Sequence, residues 1–286
     1  MSAVPNSAGT SRPRFKAPPD TCDCHLHIYD SRFEMAWPRL RAVTDASTRE
    51  YRLLQERLGT ARAVVVQPAA YGTDNRVTMD AVEQLGIERA RGVAVAHPNV
   101  RDAELADWHA RGIRGLRFTL HDPHTAVTSP EMIEPLARRV EALGWHVQLH
   151  LRGEQIVAMA DLIGRLPGRI VIDHMARLPQ PAGTHHAALA VVKRALDTGR
   201  AWVKLSGPYL DSRTGSPRYA DVKPVARALA EHAPERVVWG SDWPHPTESG
   251  GKPDDAVLLD LLQEWVEGED GRRRILVDNP SALYGF

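Results

Sequence analysis

Residues 20–27 read Asp-Thr-Cys-Asp-Cys-His-Leu-His and follow a segment rich in serine and proline. The run has the length of a first β-strand, and its two histidines lie two positions apart where that strand should finish. Since successive side chains of a strand point to opposite faces, Asp23, His25 and His27 are expected on one face. The pattern predicts two imidazoles that project together, either as part of a metal or active site or as solvent-exposed histidines.

Three further apolar runs also end in a histidine or an aspartate, at His150, His174 and Asp242. Together with the first pair they make five ionisable groups at strand ends. The carboxyl ends of parallel strands gather at one edge of a sheet or barrel, where active sites lie. Five such groups therefore favour a functional site over chance placement.

Eight short apolar runs recur after the first nineteen residues, at 21–27, 62–67, 92–96, 115–120, 145–150, 169–173, 201–205 and 237–239. Segments with helical spacing lie between them, for example 131–143, 155–166, 185–196, 219–232 and 254–266. Continuous apolar strands that alternate with helices are typical of a parallel sheet covered on both faces. We expect an α/β fold, a (β/α)8 TIM barrel formed by residues 20–286 as one domain. A doubly wound open sheet is the alternative, but no Gly-x-Gly-x-x-Gly follows the first run.

Residues 1–19 show no apolar period and are expected to form a disordered tail. They lack the apolar core of a signal peptide, and no apolar run reaches the roughly 20 residues that span a bilayer. A cytoplasmic protein is therefore expected. Two long segments, 28–48 and 208–218, follow the first and seventh runs and are candidate lids.

The charge balance excludes some partners. Thirty-six basic residues match thirty-six acidic ones, so no overall field favours nucleic acid or an anionic membrane, and a small-molecule ligand is expected. The two cysteines, Cys22 and Cys24, are too close in sequence for an unstrained disulfide on one strand. They are expected to be reduced core thiols, with a Cys-x-Cys metal clamp as the alternative.

Several sequence motifs resemble those of the amidohydrolase superfamily. The resemblance is to the branch that contains the 2-pyrone-4,6-dicarboxylate lactonases and the galactarolactone isomerases. The motifs are residues 24–30 (CHLHIYD), 67–75 (QPAAYGTDN), 115–118 (GLRF), 173–177 (DHMAR), 204–209 (KLSGPY) and 240–246 (GSDWPHP). The last is the most specific. The resemblance covers the chain from residue 20 onward and implies a TIM-barrel enzyme that acts on a small-molecule lactone.

The same resemblance bears on the cofactor. Two-metal members need a Lys or Glu at the end of the fourth strand, whereas residues 115–120 read Gly-Leu-Arg-Phe-Thr-Leu. Members of the lactonase branch work without metal, so no cofactor is expected. The alternative is a single Zn²⁺ held by His25, His27, His150 and Asp242, since imidazoles and a carboxylate suit that ion.

Without metal the five groups suit the opening of a lactone. Asp242 is expected to take a proton from water as the general base, and its alternative role is a helix N-cap. The histidines, His25, His27, His174 and His150, are expected to donate hydrogen bonds to the carbonyl oxygen as negative charge develops on it.

Substrate recognition is expected from two arginines, Arg117 and Arg177, since guanidinium groups bind carboxylates well. A surface salt bridge is the alternative for each of them. Polar side chains suited to hydroxyl groups are Tyr71, Thr73, Asn75 and Tyr209. Tyr209 stands where the pyrone lactonases present an arginine, and this departure favours a polyhydroxy acid over a second carboxylate.

The predicted function is hydrolysis of an aldarate-type sugar-acid lactone. Ring migration without net hydrolysis, as in galactarolactone isomerases, is the first alternative because the same site would serve both reactions. A mononuclear zinc hydrolase or decarboxylase and a non-catalytic sugar-acid binding protein are the others. The sequence leaves open whether the chain forms a homo-oligomer.

Overall fold

The strands form one parallel sheet whose order follows the chain. The computed structural model describes residues 3–38 and 45–286. The strands are β1 (Cys22–Leu26), β2 (Arg62–Val66), β3 (Ala90–Ala94), β4 (Ile113–Thr119), β5 (His146–His150), β6 (Arg169–Ile172), β7 (Ala201–Leu205) and β8 (Val237–Trp239). Each overlaps one of the eight predicted runs, and the (β/α)8 barrel is confirmed.

The barrel closes between β1 and the residues that follow β8. The amide of Asp242 donates to the carbonyl oxygen of His25 at 2.8 Å, and the amide of His27 donates to that of Trp243 at 2.8 Å. The backbone bonds that close the barrel therefore also bring the carboxylate of the last strand end to the histidines of the first.

A β-bulge interrupts β1. The register against β2 shifts by one residue between Asp23 and Leu26, so the strict alternation of faces is lost. Asp23 bonds to the hydroxyl of Tyr51 on the outer layer, whereas His25 lies 3.4 Å from Asp173 across the barrel. The prediction that Asp23 shares a face with the histidines was wrong, because the alternation rule assumes a strand without an inserted residue.

Helices surround the barrel. They are α1 (Thr48–Leu58), α2 (Arg76–Leu85), α3 (Asp102–Ala110), α4 (Ile133–Glu141), α5 (Gly153–Ala158), α6 (Ala160–Arg165), α7 (Ala187–Asp197), α8 (Lys223–His232), α9 (Asp255–Asp260), α10 (Leu262–Trp265), α11 (Gly268–Arg273) and α12 (Asn279–Tyr284). Two predicted helices, 155–166 and 254–266, are each divided into two shorter ones. None of the helices in the described ranges is both long and apolar enough to cross a bilayer.

The lower half of the barrel interior is filled by a small apolar cluster that includes both cysteines. Its members are Cys22, Cys24, Val64, Val66, Val93, Val171, Trp202, Val238, Leu283 and Tyr284. Both thiols are free and buried. This packed floor leaves the upper end of the barrel for the polar groups.

Residues 3–19 differ from the predicted disordered tail, and residues 1–2 lie outside the described residues. The segment lies on the barrel beside Arg57, a side chain only 1% exposed whose guanidinium donates to the carbonyl oxygen of Ser11 at 3.0 Å. The indole of Trp243 donates to the carbonyl oxygen of Pro5 at 2.9 Å. A buried guanidinium needs acceptors, and backbone carbonyls supply them without any apolar period in the sequence.

Candidate active site

Four strand ends bring the five predicted catalytic groups together. The Nε2 atoms of His25 and His27 lie 3.3 Å apart, and Oδ1 of Asp242 lies 3.6 Å and 3.5 Å from them. The ring of His174 lies 4.6 Å from that of His25 and 4.8 Å from that of His150, measured between centroids. The geometry forms one compact cluster of imidazoles around a carboxylate.

A cavity of about 200 Å³ opens above this cluster. It is lined by His27, Tyr29, Pro68, Ala69, Ala70, Arg117, Thr119, His121, Thr125, His150, His174, Leu210, Asp242, Pro246 and Thr247. His25 is fully buried beneath it and is not one of the lining residues. Tyr29 and Leu210 come from the two predicted lid segments, of which residues 39–44 lie outside the described part of the chain.

Left-handed backbone conformations shape the mouth of the cavity. His174, Met175, Ala176 and Arg177 have φ angles of 51°, 52°, 63° and 47°, and Asp242 has a φ of 63°. Such conformations are unfavourable for residues with a Cβ atom and persist only where the surroundings hold them. The left-handed backbone at His174 and Asp242 therefore sets the orientation of their side chains.

Gly240 allows β8 to approach β1 closely. A Cβ atom at this position would lie 2.6 Å from Cβ of His25 and 2.8 Å from its backbone nitrogen. No side chain fits there without moving the backbone that carries His25. The glycine before Ser241 and Asp242 is thus a packing requirement of the site.

The carboxylate of Asp242 is ionised at neutral pH. Burial alone would raise its pKa, but His174, His27 and His25 outweigh that effect and hold the pKa well below its usual value. The hydroxyl of Tyr209 also donates to Oδ2 at 2.7 Å. Asp242 is therefore a fixed anion whose Oδ1 atom faces the histidines.

The sequence predicted that Tyr209 contacts a hydroxyl group of the substrate, and in the structure its own hydroxyl contacts the proposed base. The hydroxyl lies between Asp242 and Nδ1 of His245, which is 2.9 Å away, and Nε2 of His245 lies 3.1 Å from Oδ2 of Asp255. Neither His245 nor Asp255 was predicted as part of the site. The position of His245 within the GSDWPHP motif was the only signal.

Three imidazoles at the site are neutral at neutral pH, those of His25, His121 and His174. Burial lowers the pKa of His174 to about 4, and it lowers that of His121, which stacks on His150 at 4.1 Å, to about 4. Burial, reinforced by the positive charge of Lys204, lowers the pKa of His25 well below its usual value. At neutral pH these rings act as hydrogen-bonding groups, each with one N–H and one lone pair.

Asp173 is a second buried carboxylate at the site, which sequence reasoning noted at a strand end but gave no role. Its Oδ2 atom accepts from Nε of Arg117 at 3.0 Å and from Nε2 of Gln148 at 3.1 Å. Burial would raise its pKa, but Arg117, His25 and Lys204 lower it well below the usual value. Asp173 thus balances the positive charge inside the barrel.

The two predicted arginines have different surroundings. Arg117 lines the cavity, whereas Arg177 is paired with Asp211 through Nε at 2.7 Å and donates to the carbonyl oxygen of Leu210 at 3.3 Å. Arg117 is also paired, since its Nε atom lies 3.0 Å from Oδ2 of Asp173, so each of the two arginines has a carboxylate partner and neither pair lies on the exposed surface. No charge pattern in the sequence linked Arg177 to Asp211, which lies 34 residues away.

His150 lies between the two guanidinium groups. Nη2 of Arg117 is 3.2 Å from its Nδ1 atom, and Nη1 of Arg177 is 3.3 Å from its Nε2 atom. The neutral ring has one lone pair and can accept from only one of the two guanidinium groups, and their positive charges oppose a metal ion at this ring. The predicted zinc set that includes His150 does not come together. Within residues 3–38 and 45–286, the ligand atoms that do converge belong to His25, His174 and Asp242, and to His150, Asp173 and His174.

Two polar side chains of the loop after β2 form hydrogen bonds with backbone groups. The hydroxyl of Tyr71 bonds to the amide and carbonyl of Asp30 at 2.9 and 3.1 Å, and the side chain of Asn75 bonds to those of Val95 at 2.9 and 2.8 Å. Thr73 is exposed. None of the three is a lining residue of the cavity as far as the described chain shows it.

Comparisons with known proteins identify the family of this chain. The amidohydrolase family model matches residues 22–286. A 2-pyrone-4,6-dicarboxylate hydrolase of Comamonas testosteroni is 35% identical over 97% of this chain and 94% of its own. A D-galactarolactone isomerase of Agrobacterium fabrum is 33% identical over 82% of this chain and 80% of its own.

Among solved structures, a probable 2-pyrone-4,6-dicarboxylic acid hydrolase of Acinetobacter baumannii with citric acid bound superposes with a TM-score of 0.80. It is 25% identical, and the match covers 93% of this chain and 100% of that one. By sequence and by fold the chain therefore belongs to the amidohydrolase family, beside relatives that are lactone hydrolases and a lactone isomerase.

Proposed function

We propose that this protein hydrolyses the lactone of a sugar diacid, with Asp242 as general base. The observation that carries the proposal is a cavity in which an ionised, buried carboxylate lies among imidazoles and together with one guanidinium, Arg117. Lactone chemistry as the reaction class is supported by relatives that are lactone hydrolases and a lactone isomerase.

Asp242 performs the proton transfers. Its carboxylate takes a proton from water as the water oxygen forms a bond to the lactone carbonyl carbon. The tetrahedral intermediate then collapses, the ring C–O bond breaks, and the leaving alkoxide takes the proton back from Asp242. The product is a hydroxy acid that loses its proton to solvent.

We assign to His174 the stabilisation of the developing oxyanion. The hydroxyl of Ser206 lies 2.9 Å from Nδ1 of His174, and as a donor it leaves the N–H of the neutral ring on Nε2. That N–H can donate to the carbonyl oxygen. A lactone is an activated ester and needs less electrophilic help than an amide, so we propose that the reaction proceeds without a metal ion. His25, buried below the cavity, acts through His27 rather than on the substrate.

The lining favours one carboxylate and several hydroxyl groups. Among the described lining residues Arg117 is the one guanidinium, and Thr119, Thr125 and Thr247 carry hydroxyls. The lactone of an aldaric acid has one free carboxylate, whereas pyrone dicarboxylate has two. As the substrate we therefore favour a sugar-acid lactone over the 2-pyrone-4,6-dicarboxylate for which the relative from Comamonas testosteroni is named.

Lactone isomerisation is the second candidate, favoured by the 33% identity to a D-galactarolactone isomerase. The same carboxylate would take a proton from a hydroxyl of the substrate, which attacks the carbonyl in place of water. Exclusion of water and the position of that hydroxyl decide between the reactions, since the base is common to both.

A substrate panel followed by NMR tests the proposal. The panel contains aldarolactones, aldonolactones and 2-pyrone-4,6-dicarboxylate, with the Asp242→Asn variant as the control for enzymatic turnover. We expect ring-opened acid from an aldarolactone. A rearranged lactone would establish the second candidate. Turnover of the pyrone alone would reject the sugar-acid substrate.

A further inference from the structure

Lys204 is a buried lysine beneath the active site with no part in the proposed reaction. It lies on β7, its side chain is fully buried, and its Nζ atom is 3.2 Å from Nδ1 of His25 and 2.8 Å from Oε1 of Gln148. Burying an amine is costly unless its hydrogen bonds are satisfied. Its contact with His25 affects which nitrogen of that ring carries hydrogen.

The contact fixes which nitrogen of His25 carries hydrogen. Burial lowers the pKa of Lys204 only to about 8, so at neutral pH the group is still an ammonium, which has three N–H donors and no lone pair. At 3.2 Å from the ammonium group, Nδ1 of His25 is therefore the acceptor. Since the ring is neutral, its hydrogen lies on Nε2.

The neighbouring histidine has the opposite arrangement. Nδ1 of His27 lies 2.8 Å from the carbonyl oxygen of Val66, which can only accept, so Nδ1 carries the hydrogen. Nε2 of His27 faces Nε2 of His25 at 3.3 Å and Oδ1 of Asp242 at 3.5 Å. Lys204 thus donates to His25, whose Nε2–H is directed at Nε2 of His27 and Oδ1 of Asp242, 3.3 Å and 3.6 Å away.

We propose that Lys204 is a positioning residue that holds His25 as an Nε2–H donor and so keeps the His25–His27 pair from binding a metal ion. A coordinating imidazole nitrogen must offer a lone pair, and the other nitrogen then donates its hydrogen, commonly to a carboxylate. With Lys204 in place, the cluster of His25, His174 and Asp242 does not fit a zinc ion. The positive charge close to His25 also opposes a cation there.

The partner that His25 would need as a metal ligand is already present. Oδ1 of Asp173 lies 3.4 Å from Nδ1 of His25 and is a buried oxygen without a hydrogen-bond partner among the described residues. If Lys204 were removed, Nδ1–H could donate to this oxygen and Nε2 would become a lone pair. One side chain thus separates a hydrogen-bonding histidine pair from a metal-binding one.

The first test is the tautomer in the unaltered protein. Ring ¹⁵N chemical shifts distinguish a protonated from an unprotonated nitrogen, and the His25 signals are those lost in His25→Gln. We expect hydrogen on Nε2 and none on Nδ1. Hydrogen on Nδ1 would overturn the proposal.

The second test is zinc binding by Lys204→Met and Lys204→Gln, with Lys193→Met on α7 as the matched control. We expect zinc affinity to rise by about 10- to 100-fold in whichever Lys204 variant folds, and to stay unchanged in the control. Equal affinity in all the proteins, or stoichiometric zinc in the wild type, would overturn it. Neither test uses a lactone, so a failure of the proposed function would be seen separately, in the substrate panel.

Discussion

The hydroxyl of Tyr209 donates to Oδ2 of Asp242 at 2.7 Å, while Oδ1 of the same carboxylate faces His25 and His27. The proposed base is therefore held from two sides, and the tyrosine is itself held by His245 at 2.9 Å. Burial raises the pKa of Tyr209 well above its usual value, so the phenol keeps its proton. This contact gives Tyr209 an orienting role.

Tyr209→Phe should lower kcat by about 10-fold and change KM little, because it removes one hydrogen bond to an ionised group, about 1.5 to 3 kcal/mol at most, without touching the substrate. Steady-state kinetics on the active lactone measures both constants. If Tyr209 instead bound a substrate hydroxyl, KM would rise for the hydroxylated lactone but not for its deoxy analogue.

Asp242→Asn should lower kcat by on the order of 10²-fold or more, since the amide cannot take the proton from water. The exposed Asp161 on α6 offers a matched control, and Asp161→Asn should keep full activity. Circular dichroism and thermal unfolding show whether each variant is folded. Turnover near the wild-type value in folded Asp242→Asn would reject the base assignment.

The value of kcat/KM should stay level between about pH 5 and pH 7. The pKa of Asp242 lies well below its usual value and that of His174 is about 4, so the working forms, carboxylate and neutral imidazole, are lost only as the pH falls below that window. A metal-bound water would instead titrate near pH 7 and produce a loss of rate within the window. The pH profile of the wild type decides between them.

Chelator treatment should leave activity unchanged. Both nitrogens of His150 face guanidinium groups, and the His25–His27 pair is occupied by its own hydrogen bonds. The measurement is turnover after dialysis against a chelator, with metal content determined on the same sample. Activity lost on chelation and restored by zinc would make the histidines ligands.

Arg117→Lys should reduce the substrate preference, whereas Arg177→Met should leave it unchanged. The wild type should prefer an aldarolactone over the matching aldonolactone, whose carboxylate is replaced by a neutral hydroxymethyl group, by about 1.5 to 3 kcal/mol. Arg117→Lys should lose much of that preference, because lysine lacks the forked donor geometry.

Arg177→Met should keep the preference but lower kcat, because Arg177 is paired with Asp211 and orients His150. The ratio of kcat/KM values for the two lactones is the measurement in each protein. A preference lost in Arg177→Met alone would restore this residue as the carboxylate ligand.

The sequence predicted the barrel and the five grouped residues because both depend on local features. A strand of five residues and the histidine at its end are adjacent in the chain, and barrel closure then places all strand ends at one mouth. His25 and Asp242 could be paired in this way although more than two hundred residues separate them.

The sequence did not reveal contacts that depend on side-chain direction across the barrel. Lys204 looked like part of an apolar strand, and its contact with His25 depends on the bulge in β1. Arg177 lies near the site as predicted, but Asp211 holds its guanidinium. Tyr71 and Asn75 are polar loop residues whose bonds go to backbone, which composition does not indicate.

Residues 5–8 form hydrogen bonds with the segment after β8, which carries the proposed base, Asp242. The indole of Trp243 donates to Pro5, the amide of Asp255 lies 3.4 Å from the hydroxyl of Ser7, and the amide of Ala8 donates to Pro253 at 2.9 Å. A gene shortened to start at residue 20 would keep every barrel strand and every proposed catalytic side chain. The shortened enzyme would nevertheless lose the hydrogen bonds between residues 5–8 and the residues that follow β8. Removal of residues 1–19 for expression should therefore lower the activity of the protein.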